Sequence, residues 1–370
     1  MSTHIPFVDL KAQYQGIREE IDAAVSAVIS ETAFIGGKYV KQFEDGFAAA
    51  YGVSHVVSCA NGTDSLYIIM KALGIGPGDE VITVANSWIS SSETISQTGA
   101  RPAFVDIDPV YWSMDENLLE AAINPATKAV IAVHLQGQMV NIERIAEICA
   151  AKGIYLIEDC AQSHFSTFKG KKAGLFGIAG SFSFYPGKNL GAYGDAGALI
   201  TNEAALAERC RMFANHGALV KHQHKIEGIN SRLDGIQAAV LSVKLKYIAN
   251  WTAQRQAAAA WYNEALAGID GIVLPVVRPE TEHTFHLYMI RAQRREALME
   301  HLRNEGIDTA IHYPTPLPLM EAYQYLGKSA ADFPVSAGMM NEILSLPMYP
   351  ELNREAVARV AAAIRSFYAK

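Results

Sequence analysis

The sequence predicts an α/β fold: a large domain built on a mostly parallel, seven-stranded sheet, followed by a smaller C-terminal α+β domain. Between residues 55 and 201 short apolar runs alternate with helix-like amphipathic segments. Several of those runs are unbroken Val/Ile/Ala/Leu, the composition of strands covered on both faces. After residue 230 the texture changes to long helical stretches. The chain has 370 residues, 50% of them hydrophobic and 19% charged, and one core rarely grows beyond ~250–300 residues, so a second, smaller unit is expected.

In chain order, an N-terminal helical segment precedes the strand candidates "HVVSC", "DEVITVA", "RPAFVDID", "KAVIAVHL", "GIYLIEDC", "GSFSFY" and "GALITN", with helices such as "NIERIAEICAAKG" between them. Ligands of such sheets bind beyond the carboxyl ends of the strands, so the polar residues that follow each run carry the interest. "RLDGIQAAVLSVKLKYIANWTAQRQAAAAWYNEALAG" has no proline, consists mostly of good helix formers and ends at a glycine, which predicts one long helix. The domains are placed at 1–245 and 246–370. In the second, "HTFHLYMIRA", "REALMEHLRNEGI", "TAIHYP" and "NREAVARVAAAIRSFYA" suggest a few strands with helices.

A net charge of −7 with scattered lysines and arginines argues against nucleic acid and anionic membranes as partners. No leader-like start and no window near the ~18 apolar residues of a bilayer span is present, so a cytoplasmic location is expected. Cys59, Cys149, Cys160 and Cys210 have neither CxxC pairing nor regular spacing and read as small buried hydrophobes.

The residues with chemical promise follow the strands. Asp159 ends the run "IYLIED", where a carboxylate either caps a turn or holds a heteroaromatic nitrogen protonated. Asn61-Gly62 forms a tight turn before Thr63, Asp64 and Ser65, a helix start that serves as an ordinary cap or as a phosphate seat. It is not a P-loop, since no Gly-Lys-Ser/Thr follows. Lys188 lies in "FSFYPGKNLGAYGDAGAL", where Gly187, Gly191, Gly194 and Gly197 mark sharp turns or close approach to a ligand. A Schiff-base lysine, a carboxylate for a pyridine nitrogen and a phosphate seat are what pyridoxal phosphate needs from a protein. Ser183 can add a hydroxyl to the seat, and Trp88 in "ANSWISSS" either stacks on a ring or packs in the core.

At these residues the sequence resembles the DegT-type, fold-type I, pyridoxal-phosphate sugar aminotransferases over essentially the whole chain. The resemblance runs through "IPFVDLKAQY", "FIGGKYVKQFE", "ANGTDSL", "GPGDEVITVANSW", "EDCAQSH", "SFSFYPGKNLGAYGDAGA", "GINSRLDGIQAAVL", "IHYP" and "LSLPMYPEL". It implies that Lys188 forms the imine, with pyridoxamine phosphate as the intermediate form, and that Asp159 pairs with the pyridinium nitrogen. Gln162 would lie near the ring hydroxyl and Trp88 would cover the ring. Gly62, Thr63 and Ser183 would hold the phosphate, joined by Asn230 from the second subunit of a homodimer. His164, Tyr185, His312 and Tyr313 are candidates for the sugar-nucleotide pocket. The substrates implied are L-glutamate and a keto sugar nucleotide, and the lysine loop looks more like members that aminate dTDP-3-keto-6-deoxyhexoses than like the 4-keto group acting on UDP or GDP sugars.

Four departures from the 3-amino pattern, Ala196, Phe165, Gln136 and His222, are expected on the substrate side. Lys188 argues against the related dehydratases, which carry histidine there, and a non-catalytic regulator on the same scaffold is the reading from another class. No GxGxxG follows the first strand, which removes a Rossmann nucleotide site. His216, His222 and His224 lack acidic or cysteine partners at ligand spacing, so no metal is expected. "DIDP" at 106–109 reads as a strand end and turn.

Overall fold

The computed structural model describes residues 4–369. Its centre is a seven-stranded sheet formed by β1 (His55–Cys59), β2 (Glu80–Val84), β3 (Arg101–Val105), β4 (Thr127–Val133), β5 (Tyr155–Asp159), β8 (Ala179–Ser183) and β9 (Gly197–Thr201); two-residue strands β6 (Thr167–Phe168) and β7 (Lys171–Lys172) form a hairpin apart from it. All seven expected runs are strands. The order is β1-β9-β8-β5-β4-β2-β3, and β9 alone runs against the others. The carboxyl ends of β1, β2, β4, β5 and β8 therefore share one edge, and β9 begins there.

The apolar runs bury as their composition requires: Val81, Ile82, Val130, Ile131 and Ile157 have no exposed surface. The expected single long helix is two, Gly235–Leu245 and Ile248–Leu266. At the join Lys246 N–H and Tyr247 N–H bond to the carbonyls of Val243 and Lys244, an i→i−3 tightening that interrupts the α-helical ladder. Neither residue is a breaker, so composition carried no warning. The second helix begins in the core around the large sheet with Ile248 and Trp251 and ends in another cluster with Tyr262, Tyr288, Leu298 and Ile364. That cluster surrounds a sheet of β10 (Ile272–Val273), β12 (Tyr288–Ala292) and β13 (Ile343–Leu346), while β11 (Thr281–Glu282) pairs with β6. "TAIHYP" contributes only an isolated bridge, Ala310 to Ser345.

Glu158, beside Asp159, has no exposed surface. Its Oε1 accepts from Phe176 N–H (2.6 Å) and Gly177 N–H (2.7 Å), and its Oε2 from Gly174 N–H (2.8 Å) and His134 Nε2 (3.0 Å). His134 Nδ1 accepts from Val140 N–H, which leaves the ring proton on Nε2 for Glu158. The four donors compensate the buried charge and tie loop 174–177 beneath β5. Replacing Glu158 by alanine strands these donors, and urea unfolding is expected to show a loss of about 3–5 kcal/mol.

Candidate active site

A cavity of about 810 Å³ opens at the carboxyl edge of the large sheet. Six of the seven strands contribute to it: Asn61 to Asp64 after β1, Ser87 and Trp88 after β2, Leu135 after β4, Asp159 at the end of β5, Ser183 at the end of β8, and Asp195 before β9.

One wall is the start of the helix Gly62–Ala72. Asn61 Oδ1 caps it by accepting from Asp64 N–H (2.7 Å), so the N–H groups of Gly62 and Thr63 have no place in the helix ladder and lie at its positive end. A Cβ on Gly62 would stand 2.6 Å from the Ser183 Cβ, so only glycine lets this helix start meet β8. The Thr63 hydroxyl is 2.7 Å from that of Ser90, and Ser231 bonds to Asp64 Oδ2 (2.6 Å).

Asp159 is 6% exposed. Its Oδ1 accepts from Ala161 N–H (3.1 Å) and its Oδ2 from the Ser91 hydroxyl (2.9 Å). Lys188 is half-buried in the same cavity; burial lowers its amine to about 8, and the Asp159 charge opposes that fall. Its loop closes through Lys188 N–H to the Tyr185 carbonyl (2.8 Å). Of the four glycines expected to be demanding, Gly191 and Gly197 are, since a Cβ on either would lie 2.3 Å from backbone atoms of Pro186 or Asn61. Gly187 has room and Gly194 meets only the Gln237 side chain.

The Gln162 carbonyl accepts from Gln136 N–H (2.7 Å) and its amide donates to Tyr313 Oη (3.1 Å), which orients the amide and leaves its second N–H toward the cavity. Trp88 is 57% exposed, 5.5 Å from the Tyr313 ring, on the wall and not in the core. Tyr185 and His312 also line the cavity. His312 bonds to Ser345 Oγ (3.0 Å), and burial followed by the Lys188 charge lowers it to about 4.

Two expectations need correction. His164 does not line the cavity: it is fully buried between Phe182 and Phe184, each 5.7 Å away, and burial lowers it to about 3, so it is neutral core and unavailable to a substrate. Ala196, Phe165 and Gln136 also sit behind the wall; Phe165 packs on Tyr51 at 4.5 Å. His222 is exposed and outside the lining of its own chain's cavity, as is Asn230. The sequence reading also missed Ser90, Ser91 and His286. The serines stand in the quoted "ANSWISSS", but their contacts reach across the sheet, and His286 carries no local signal.

The one group of potential metal ligands among the described residues is His134, Glu158 and Cys160, not the histidines near 216–224. Its imidazole and carboxylate are committed to the hydrogen bonds above, and burial, then the Glu158 and Asp159 charges, raise the Cys160 thiol well above its ordinary value. All four cysteines are free and buried. Asp108 accepts from Val110 and Tyr111 in the turn expected of "DIDP", while Asp106 accepts from the distant Val335 and Ser336 at the start of the helix Pro334–Met339.

Known proteins resemble this chain over nearly its whole length. The "Pleiotropic regulatory protein" of Geobacillus stearothermophilus is 43% identical over 99% of this chain and 99% of its own. The dTDP-3-amino-3,4,6-trideoxy-alpha-D-glucose transaminase of Streptomyces venezuelae is 40% identical over 98% of this chain and 96% of its own. The crystal structure of S. venezuelae DesV in complex with a ketimine intermediate superposes with a TM-score of 0.97, at 40% identity and 99% coverage of both chains. Residues 15–365 match the family model described as DegT/DnrJ/EryC1/StrS aminotransferase. The chain belongs to that aminotransferase family.

Proposed function

We propose that this protein transfers the amino group of L-glutamate to a keto sugar nucleotide with pyridoxal phosphate as coenzyme, the favoured acceptor being a dTDP-3-keto-6-deoxyhexose that becomes the 3-amino sugar. The observation that carries the reading is one cavity holding an amine of lowered proton affinity, a buried carboxylate and the open N–H groups of a helix start. These residues fit the coenzyme. Gly62 and Thr63 N–H with the Ser183 hydroxyl suit its phosphate, Asp159 its ring nitrogen, the free N–H of Gln162 its ring oxygen, and the exposed Trp88 its face. When bound, the coenzyme supplies an electron sink for the carbanion formed at the amine-bearing carbon.

The chain's own residues do the rest. Lys188 Nζ, in part unprotonated near neutral pH, takes the proton from that carbon and returns it at the coenzyme's side. Asp159, fixed by two hydrogen-bond donors, would face the ring nitrogen and favour the proton staying on it. Tyr185, His312 and Tyr313 line the outer cavity, where the sugar nucleotide has room. Asn230 is assigned to the second subunit's site, with the exposed Leu219, Val220 and Ile226 on the same loop available to a homodimer interface. A cytoplasmic location suits four unpaired cysteines and a chain whose described helices are none of them long and apolar enough to cross a membrane. We place the division between large and small domains near residue 245. The second reading is a non-catalytic regulator that binds pyridoxal phosphate on this scaffold, which the name of the Geobacillus relative favours and which would hold the coenzyme without consuming glutamate.

Incubation with L-glutamate and dTDP-, UDP- and GDP-linked 3-keto and 4-keto sugars, read by mass spectrometry, should give an amino sugar, most readily from the dTDP-linked 3-keto compound. Bound coenzyme without glutamate consumption would return the regulator. Lys188→Ala should fold normally and lose turnover below detection. The rate at which apoprotein captures pyridoxal phosphate should rise with pH through about 8 as the Lys188 ammonium deprotonates; a flat profile would contradict that role. Mixing inactive Lys188→Ala and Asn230→Asp proteins should restore turnover, because the mixed dimer holds one site with both native residues. No recovery would place Asn230 outside its partner's site.

A further inference from the structure

Asp159 faces two demands. It must stay ionised although it is almost wholly buried, and it must keep one orientation toward the cavity. Burial alone favours the neutral acid. If the carboxyl kept the proton it shares with a facing ring nitrogen, the pair would be neutral and the ring would lose its pull on electrons. Donors to the carboxylate decide where that proton rests.

Two donors act, and only one is a side chain. Ala161 N–H reaches Oδ1 from the turn after β5. The Ser91 hydroxyl reaches Oδ2 from the first turn of the helix Ser90–Thr98. Ser91 is 1% exposed, and its single proton is spent on Asp159, so the 2.8 Å contact with Ser87, 2% exposed, must run from Ser87 to the Ser91 oxygen. A hydroxyl that accepts one hydrogen bond donates the next more strongly. The charged or titratable groups felt with Asp159 are Lys188 across the cavity, the Tyr313 phenol and the neighbouring Cys160 thiol. None of them is bonded to it, which leaves the serine relay as the side-chain control on its charge and direction.

We infer that Ser91, polarised by Ser87, is a positioning residue for the transamination: it fixes the Asp159 carboxylate and keeps the shared proton on the coenzyme's ring nitrogen. This rests on the reading of Asp159 as the partner of that nitrogen. The bland alternative is that Ser91 merely satisfies its own buried hydroxyl.

The two differ in spectroscopy. A positively charged ring lowers the proton affinity of the imine it carries, so losing ring charge moves the pH midpoint of the bound coenzyme's visible absorbance upward. Wild type, Ser91→Ala, Ser91→Thr and Ser87→Ala are to be reconstituted from apoprotein with pyridoxal phosphate, and Kd and midpoint measured. Ser91→Ala should bind about tenfold more weakly and shift the midpoint up by roughly half to one pH unit. Ser91→Thr, which keeps the hydroxyl, should stay within about twofold of wild type, and Ser87→Ala should shift in the same direction by less. A Ser91→Ala protein with wild-type Tm, Kd and midpoint overturns the inference. Should that variant fail to fold, an unshifted midpoint in Ser87→Ala does so instead. Wild type that binds no coenzyme defeats the functional reading and is thereby distinguished from failure of the relay.

Discussion

A carboxylate sealed from water persists only where donors surround it, and Glu158 meets that condition with three backbone N–H groups and one imidazole. The constraint is architectural. Loop 174–177 has to fold under β5 to bring its N–H groups to one point, and the strand β8 that follows that loop then pairs with β5, Asp159 opposite Ser181. Ser183 at the end of β8 thus comes to lie against Gly62. The coenzyme-facing wall and the interior ion site are two sides of one strand.

Alternation makes that division of labour possible. Neighbouring residues on a strand point to opposite faces, so Glu158 turns to loop 174–177 while Asp159 turns to Ser91 and the cavity. The dipeptide Glu-Asp alone does not say which carboxylate is structural and which is chemical. Its position does, since the last residue of the strand stands at the edge where the crevice opens.

The same reasoning explains what was legible beforehand. The strands could be read because apolar runs alternate with helix-like segments, and several of those runs are continuous because both faces of the strand are covered. Lys188, Asp159 and the start of the helix Gly62–Ala72 could be read because each follows such a run directly. The break after Leu245 could not, because good helix formers continue through the i→i−3 turn at Lys246 and Tyr247. His164 was misread as facing a substrate because it lies just after β5 in sequence, whereas its ring packs against Phe182 and Phe184. Gln136, taken for a pocket substitution, acts through its backbone on the Gln162 amide, a contact spanning 26 residues. The serine relay spans 68 residues, and three serines in a row resemble any capped helix start until the fold brings Asp159 to them.

The charges lining the cavity add a last constraint. Asp64, Asp159 and Asp195 face a single lysine, while burial keeps His286 and His312 neutral near pH 7. Such a wall does not hold a phosphate by net positive charge. On the proposed reading it would hold one by oriented N–H groups and hydroxyls, whose partial charges act only at short range and only in one geometry. Neutral donors leave the balance at Lys188 undisturbed. A full cation near the phosphate would push the amine's proton affinity further down and compete for Asp159, the group that must remain free to hold the ring nitrogen. Binding by dipoles thus permits a tight anion seat within the same small cavity as a lysine that has to gain and lose protons near neutral pH.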